Sequence, residues 1–231
     1  MTSTARKPKS LAITADQARA FATEKLSQIR VPVVPQPTNY SGSFECSWYF
    51  PTIVRRGTER PGKEVYGFAD ADHGWVSPVG APGDVLLLKE TCALRVDVDP
   101  KKNLAKAMHY IVYRADREPG DDLSMDWHSY SKWRTTPLWA VRFRPTIAAI
   151  RCERVNAITE EDAKKCGAEQ FGDGHSYCVY CKKETQFEYG PSRLPSFAST
   201  WDSRYGKKFP WTSNPWCWVI DLVPGKGEHN G

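Results

Sequence analysis

The stretch CGAEQFGDGHSYCVYC, residues 166–181, gathers three of the chain's seven cysteines and one of its five histidines. Cys166, His175, Cys178 and Cys181 follow the spacing C-x8-H-x2-C-x2-C. The Cys-x2-Cys half is the knuckle through which two thiolates reach one tetrahedral zinc ion. Gly167, Gly172 and Gly174 let the intervening loop fold back, so that Cys166 and His175 can complete a closed, structural site. Two other readings stay open. Cys178 and Cys181 could form a redox pair, although no strand-to-helix thioredoxin-like context follows CVYC. Alternatively these are ordinary thiols in a loop, with Cys166 a small core residue at a helix end and His175 solvated.

A second chemistry-bearing stretch is SYSKWRTTPLWAVRFRP, which sets Lys132, Arg134, Arg142 and Arg144 among Trp133, Trp139 and Phe143. Cations neutralise phosphates and exposed rings stack on unpaired bases. Lys25, Arg30 and Lys89 lie elsewhere in the chain, and with Trp133, Arg134, Arg142 and Arg144 they form the expected nucleic-acid contact set. The competing reading is a solvated charged surface, with most of the nine tryptophans in the core. A formal net charge of +5 is too modest to choose between them.

Composition fits one globular domain with insertions. The chain has 231 residues, 40% hydrophobic and 26% charged. No apolar run approaches the roughly 20 residues that span a bilayer, and the start MTSTARKPKSLAITADQ lacks the apolar segment of a signal peptide. A cytoplasmic protein is expected, whose odd number of cysteines is free or metal-bound rather than disulfide-paired.

The elements that must position these groups read as mostly strands. Residues 1–12 are expected as a disordered basic arm. A helix follows over TADQARAFATEKLSQI with Thr14 as N-cap, until Pro32, Pro35 and Pro37 end it. Strand signals are CSWYF, VYGFA, APGDVLLLKETCAL with its Pro82-Gly83 turn, MHYIVYRA, WAVRFRPTIAAIRCERVNAI and NPWCWVIDLV. Arg142 and Arg144 flank Phe143, so alternation puts both cations on one face. TEEDAKKCG is a short helix with Thr159 as N-cap and Gly167 as its C-terminal stop, and PSFASTWDSRYG is another.

In this order, SQIRVPVVPQP, PGDVLLLKET, YRAD, RVNAITEEDAKKCG and WDSRYGKKFPWTSNPWCWVIDL resemble the ASCH-domain proteins carried by bacteriophages and prophages. The resemblance implies an α+β, mostly β fold: a small PUA-like β-barrel flanked by short helices, with loop insertions. The domain is expected over 13–224, with insertions at about 38–80, 116–136 and 167–192 and a flexible tail at 225–231. It also implies a bacterial host cell and RNA or modified nucleosides as ligands.

Some members of that superfamily are N4-acetylcytidine amidohydrolases that use a lysine, a threonine and a glutamate. Matching this chain to their pattern puts Leu26, Ile29 and Cys166 at those three positions, and Leu26 and Ile29 can do no acid–base chemistry. The leading expectation is therefore a catalytically silent module that binds RNA or single-stranded nucleic acid. The alternative is an amidohydrolase or nuclease with a relocated centre around Lys25, Ser27 and Glu90. A third reading is a host protein as partner, bound through the aromatic insertion at 121–139. A cleft between the first helix and the Pro-Gly-Asp strand that is filled by Leu26 and Ile29 removes both leading readings together.

Overall fold

The computed structural model of the chain describes residues 7–37, 44–55, 58–70, 72–97, 108–117, 134–170, 176–177 and 192–223. In chain order its elements are β1 (Lys9–Ala12), α1 (Ala15–Ala22), β2 (Gln28–Pro32), β3 (Ser47–Tyr49), β4 (Thr52–Arg55), β5 (Thr58–Pro61), β6 (Val65–Ala69), β7 (Gly74–Val76), β8 (Leu86–Lys89), β9 (Thr91–Asp97) and β10 (Met108–Tyr113). There follow β11 (Arg134–Thr135), β12 (Thr146–Arg154), α2 (Glu160–Lys165), β13 (Glu169–Gln170), β14 (Ser176–Tyr177), α3 (Leu194–Tyr205) and β15 (Trp216–Val223). The molecule is α+β and mostly β. No helix among the described residues is long and apolar enough to cross a membrane.

Helix boundaries follow local chemistry. Thr14 caps α1 in a reciprocal capping box with Gln17, whose backbone N–H it accepts and whose side chain accepts from the Thr14 N–H. The helix stops well short of the expected SQI, because Glu24 turns left-handed at φ 58° and Gln28 onward joins a sheet. Thr159 caps α2, acids fill its first turn, lysines fill its last turn, and Gly167 leaves it at φ 88°. Lys9–Ala12 is a strand parallel to β8 rather than the end of a disordered arm. It is held there because Leu11 packs on the main core and the Ile13 N–H donates to the Lys89 carbonyl at 2.9 Å.

The central sheet runs β12-β15-β2, antiparallel throughout. Val85 and Leu88 bridge to Thr146 and Phe143, which brings the β1-β8 pair alongside β12. Among the described residues the strands form six small sheets and do not close into a barrel. Alternation along β15 divides the core in two. Trp216, Trp218, Ile220 and Leu222 enter the larger cluster, with Phe44, Phe68 and Trp75, while Cys217 and Val219 face α2 and α3 through Phe197 and Trp201. Trp201 and Trp75 each satisfy their ring N–H on a carbonyl, of Phe209 at 2.7 Å and Pro35 at 2.8 Å.

Candidate functional site

Two clusters of charge stand out, one on the central sheet and one beside it, following β8. The first lies on the face covered by α2. Cross-strand register sets Gln28 opposite Asp221 and Arg30 opposite Val219, while Arg151 and Glu153 follow at alternate positions of β12. The Gln28 amide donates to Asp162 Oδ1 at 2.9 Å and to Asp221 Oδ1 at 2.7 Å. Arg30, its side chain only 1% exposed, donates from Nε to Gln28 Oε1 at 3.0 Å and from Nη2 to Asp162 Oδ2 at 3.0 Å. Its Nη1 stands 2.7 Å from Glu153 Oε1 but is not aligned for a hydrogen bond, so that contact is an ion pair only. Arg151 closes the network with Asp221 at 2.7 Å, Asp162 at 2.9 Å and Glu153 at 3.2 Å.

This network is closed, each charged group meeting an opposite charge within it. Burial raises the Asp162 carboxyl, but the Gln28 hydrogen bond and the charges of Arg151 and Arg30 outweigh it and hold the group below the usual range. Cys166 donates its thiol hydrogen to Gln28 Oε1 at 3.5 Å, and burial pushes that thiol up to about 12. Leu26 and Ile29 are buried in the main core. Neither side chain is open to a ligand.

Several expected contacts are corrected by the same geometry. Arg30 does not face phosphate, since Asp162, Glu153 and Gln28 enclose it. Ser27 is stitched between elements, its N–H donating to the Lys165 carbonyl at 2.9 Å and its carbonyl accepting from Leu222 N–H at 2.8 Å. Glu90 belongs to the second cluster, where both its oxygens accept from Arg142. Lys25 is exposed. Lys89 is half-buried and by alternation looks away from the row Leu86, Leu88, Glu90. Of Arg134 the structure describes the backbone, paired with Cys92. Trp133, His175, Cys178 and Cys181 lie outside the described residues. Among the described residues no group of three His, Cys, Asp or Glu side chains is placed to hold a metal.

The second cluster is built on Arg142. Its Nε and Nη2 donate to both oxygens of Glu90 at 2.7 and 2.8 Å, and its Nη1 and Nη2 donate to both oxygens of Asp116 at 2.8 and 2.7 Å. The guanidinium carbon stands 4.1 Å from the Tyr113 ring centroid and 5.0 Å from that of Phe143. Glu90 is 1% exposed and Asp116 is 53% exposed, so one carboxylate is sealed in and the other stands in water. Burial pushes the Glu90 carboxyl above the usual range, against the pull of Arg142. Arg142 is thus a tethered cation, not the free one its place in the sequence suggests.

Beside it the chain makes a short turn at Leu138–Ala140. Tyr113 OH donates to the Ala140 carbonyl at 2.6 Å, so the ring that covers Arg142 also clamps this turn. Trp139 on the turn is 72% exposed, the most of any large apolar side chain described. Arg144 is exposed nearby, its Nε donating to the Val141 carbonyl at 3.2 Å. Phe143 turns inward against Phe21, which leaves Arg142 and Arg144 on the outer face as alternation predicts.

Sequence reasoning missed Asp162, Asp221, Arg151, Glu153, Asp116 and Tyr113. A signal existed for part of the first network, since QIR and RCE both place polar residues two apart on strands. No family model matches the chain, and neither does any curated protein or any solved structure compared with it.

Proposed function

We propose that the protein is a catalytically silent, ASCH-like and PUA-like module that binds single-stranded nucleic acid through the surface around Trp139 and Arg144. The observation that carries this reading is an indole 72% exposed on a turn clamped by Tyr113, beside an exposed arginine. An exposed indole offers a face on which a base can stack, and a turn held by Tyr113 lowers the cost of ordering it. Arg144 supplies the charge for an adjoining phosphate. The binding is sequence-tolerant, because every base has a face on which to stack. Silence towards N4-acetylcytidine is supported by Leu26 and Ile29 lying in the core and by the protonated, buried Cys166 thiol.

The test is binding of a short oligothymidylate or oligouridylate at several salt concentrations. Affinity falls as salt rises, and Arg144→Ala weakens binding and reduces the salt slope by about one charge. Equal binding and equal slope for wild type and Arg144→Ala contradict the assignment. Arg142→Ala is unsuited to this purpose, because it strands Glu90 in the interior and acts first on folding.

A further inference from the structure

We infer that the outer edge of Arg142 is a phosphate-binding fork that Asp116 occupies when no ligand is bound, so that Asp116 acts as a displaceable phosphate mimic. The inference rests on the reading of the Trp139 surface given above and adds to it the anion's contact and its competitor. Three features support it. The inner edge of the guanidinium is fixed by Glu90 in bidentate geometry, and the rings of Tyr113 and Phe143 flank it, so the outer Nη1 and Nη2 keep their direction whatever they hold. The outer partner is a half-exposed carboxylate, and an ion pair in water is weak enough to exchange. A phosphodiester carries the same single charge and offers two oxygens to the same fork.

Position and charge point the same way. Tyr113 touches both the Arg142 guanidinium and the carbonyl of Ala140, next to Trp139, so a strand stacked on that indole carries its phosphates past the fork. One guanidinium serves two carboxylates here. Departure of the Asp116 side chain in favour of a ligand keeps the count constant, whereas a ligand added on top of it meets repulsion. The backbone of Asp116 need not move. Arg19 of α1 holds the turn at Arg114–Asp116 by donating from Nε to the Ala115 carbonyl at 2.8 Å and from Nη2 to the Arg117 carbonyl at 2.8 Å. The switch is therefore a rotation of one exposed side chain.

The experiment follows the Nε–Hε resonance of Arg142 by NMR in wild type, Asp116→Asn and Asp116→Ala during titration with inorganic phosphate. A parallel titration measures affinity for a short oligothymidylate. The expected result is a phosphate-dependent shift of that resonance in both variants, appearing in wild type only at higher phosphate. Oligothymidylate affinity rises about threefold to fivefold when Asp116 is neutralised, as expected for removal of an exposed ion pair. No response of Arg142 to phosphate in either variant overturns the inference, as does, where wild type binds oligothymidylate, unchanged or weaker binding in a variant that melts like wild type. The reading of the Trp139 surface fails separately. If Arg142 responds to phosphate but no oligonucleotide binds, the anion fork stands and the nucleic-acid interface does not.

Discussion

The two charged clusters contain the same kinds of groups and differ in what closes them. Around Arg30 the partners are supplied from within, by β2, β12 and α2, and the side chain is only 1% exposed. Around Arg142 the inner half is sealed by Glu90, while the outer half ends on a carboxylate that water also reaches. An arginine's presence therefore says little about binding. Whether its last partner can leave says more.

The sharpest way to break this contrast is to remove the enclosed cation. Arg30→Ala leaves Asp162 and Glu153 without their buried partner, and the expected loss is about 3–5 kcal/mol of unfolding free energy. Chemical denaturation measures it, and a loss within about 0.5 kcal/mol, as for an ordinary surface change, shows that the network is not what fastens α2 to the sheet.

A second approach uses protons. The Asp162 carboxyl is held below its ordinary range, because the Gln28 hydrogen bond and the charges of Arg151 and Arg30 outweigh burial. A depressed folded-state value gives stability that is present above the unfolded value of about 3.9 and is lost as pH falls through the folded one. Wild type should lose stability on acidification from about pH 4 downward, and Asp162→Asn should be less stable at neutral pH with a flatter acid limb. Parallel acid limbs in the two proteins contradict the assignment.

The third prediction concerns thiols on the enclosed side. Burial pushes Cys166 and Cys217 up to about 12, so both should resist alkylation at neutral pH until the protein unfolds. Mass spectrometry after brief iodoacetamide treatment decides it, and rapid labelling of either cysteine in folded protein shows the α2 face to be open. The expectation of zinc at Cys166, His175, Cys178 and Cys181 is checked in the same preparation. That site needs a Cys166 thiolate, so about one zinc per chain, lost in Cys178→Ser together with thermal stability, contradicts the protonated Cys166 thiol, and metal-free protein whose melting ignores a strong chelator contradicts the zinc site.

Much of the local structure was legible in the sequence, because its causes are local. The Thr159 cap, the acids and lysines of TEEDAKK and the stop at Gly167 specify α2 unaided, and NPWCWVIDLV announces a strand with one face of rings. The end of α1 was not legible, since helical periodicity runs on through EKLSQI and only pairing with β15 decides that Gln28 is extended. The site was harder still. Arg142 and Arg144 look alike in RFRP, and what separates them is Glu90 and Asp116, 52 and 26 residues away in the chain. Spacing cannot show such partners. Trp139 is another instance, since nothing in PLWAV distinguishes an exposed indole from the buried ones of β15.

The measurement that bears most directly on the Trp139 surface is oligothymidylate affinity at low salt for wild type and Trp139→Ala, with melting curves for both. The account predicts unchanged melting, because the indole covers no core, and a loss of about 1–3 kcal/mol in binding free energy, the worth of one stacked base. Equal affinity in the two proteins, with folding intact, contradicts it.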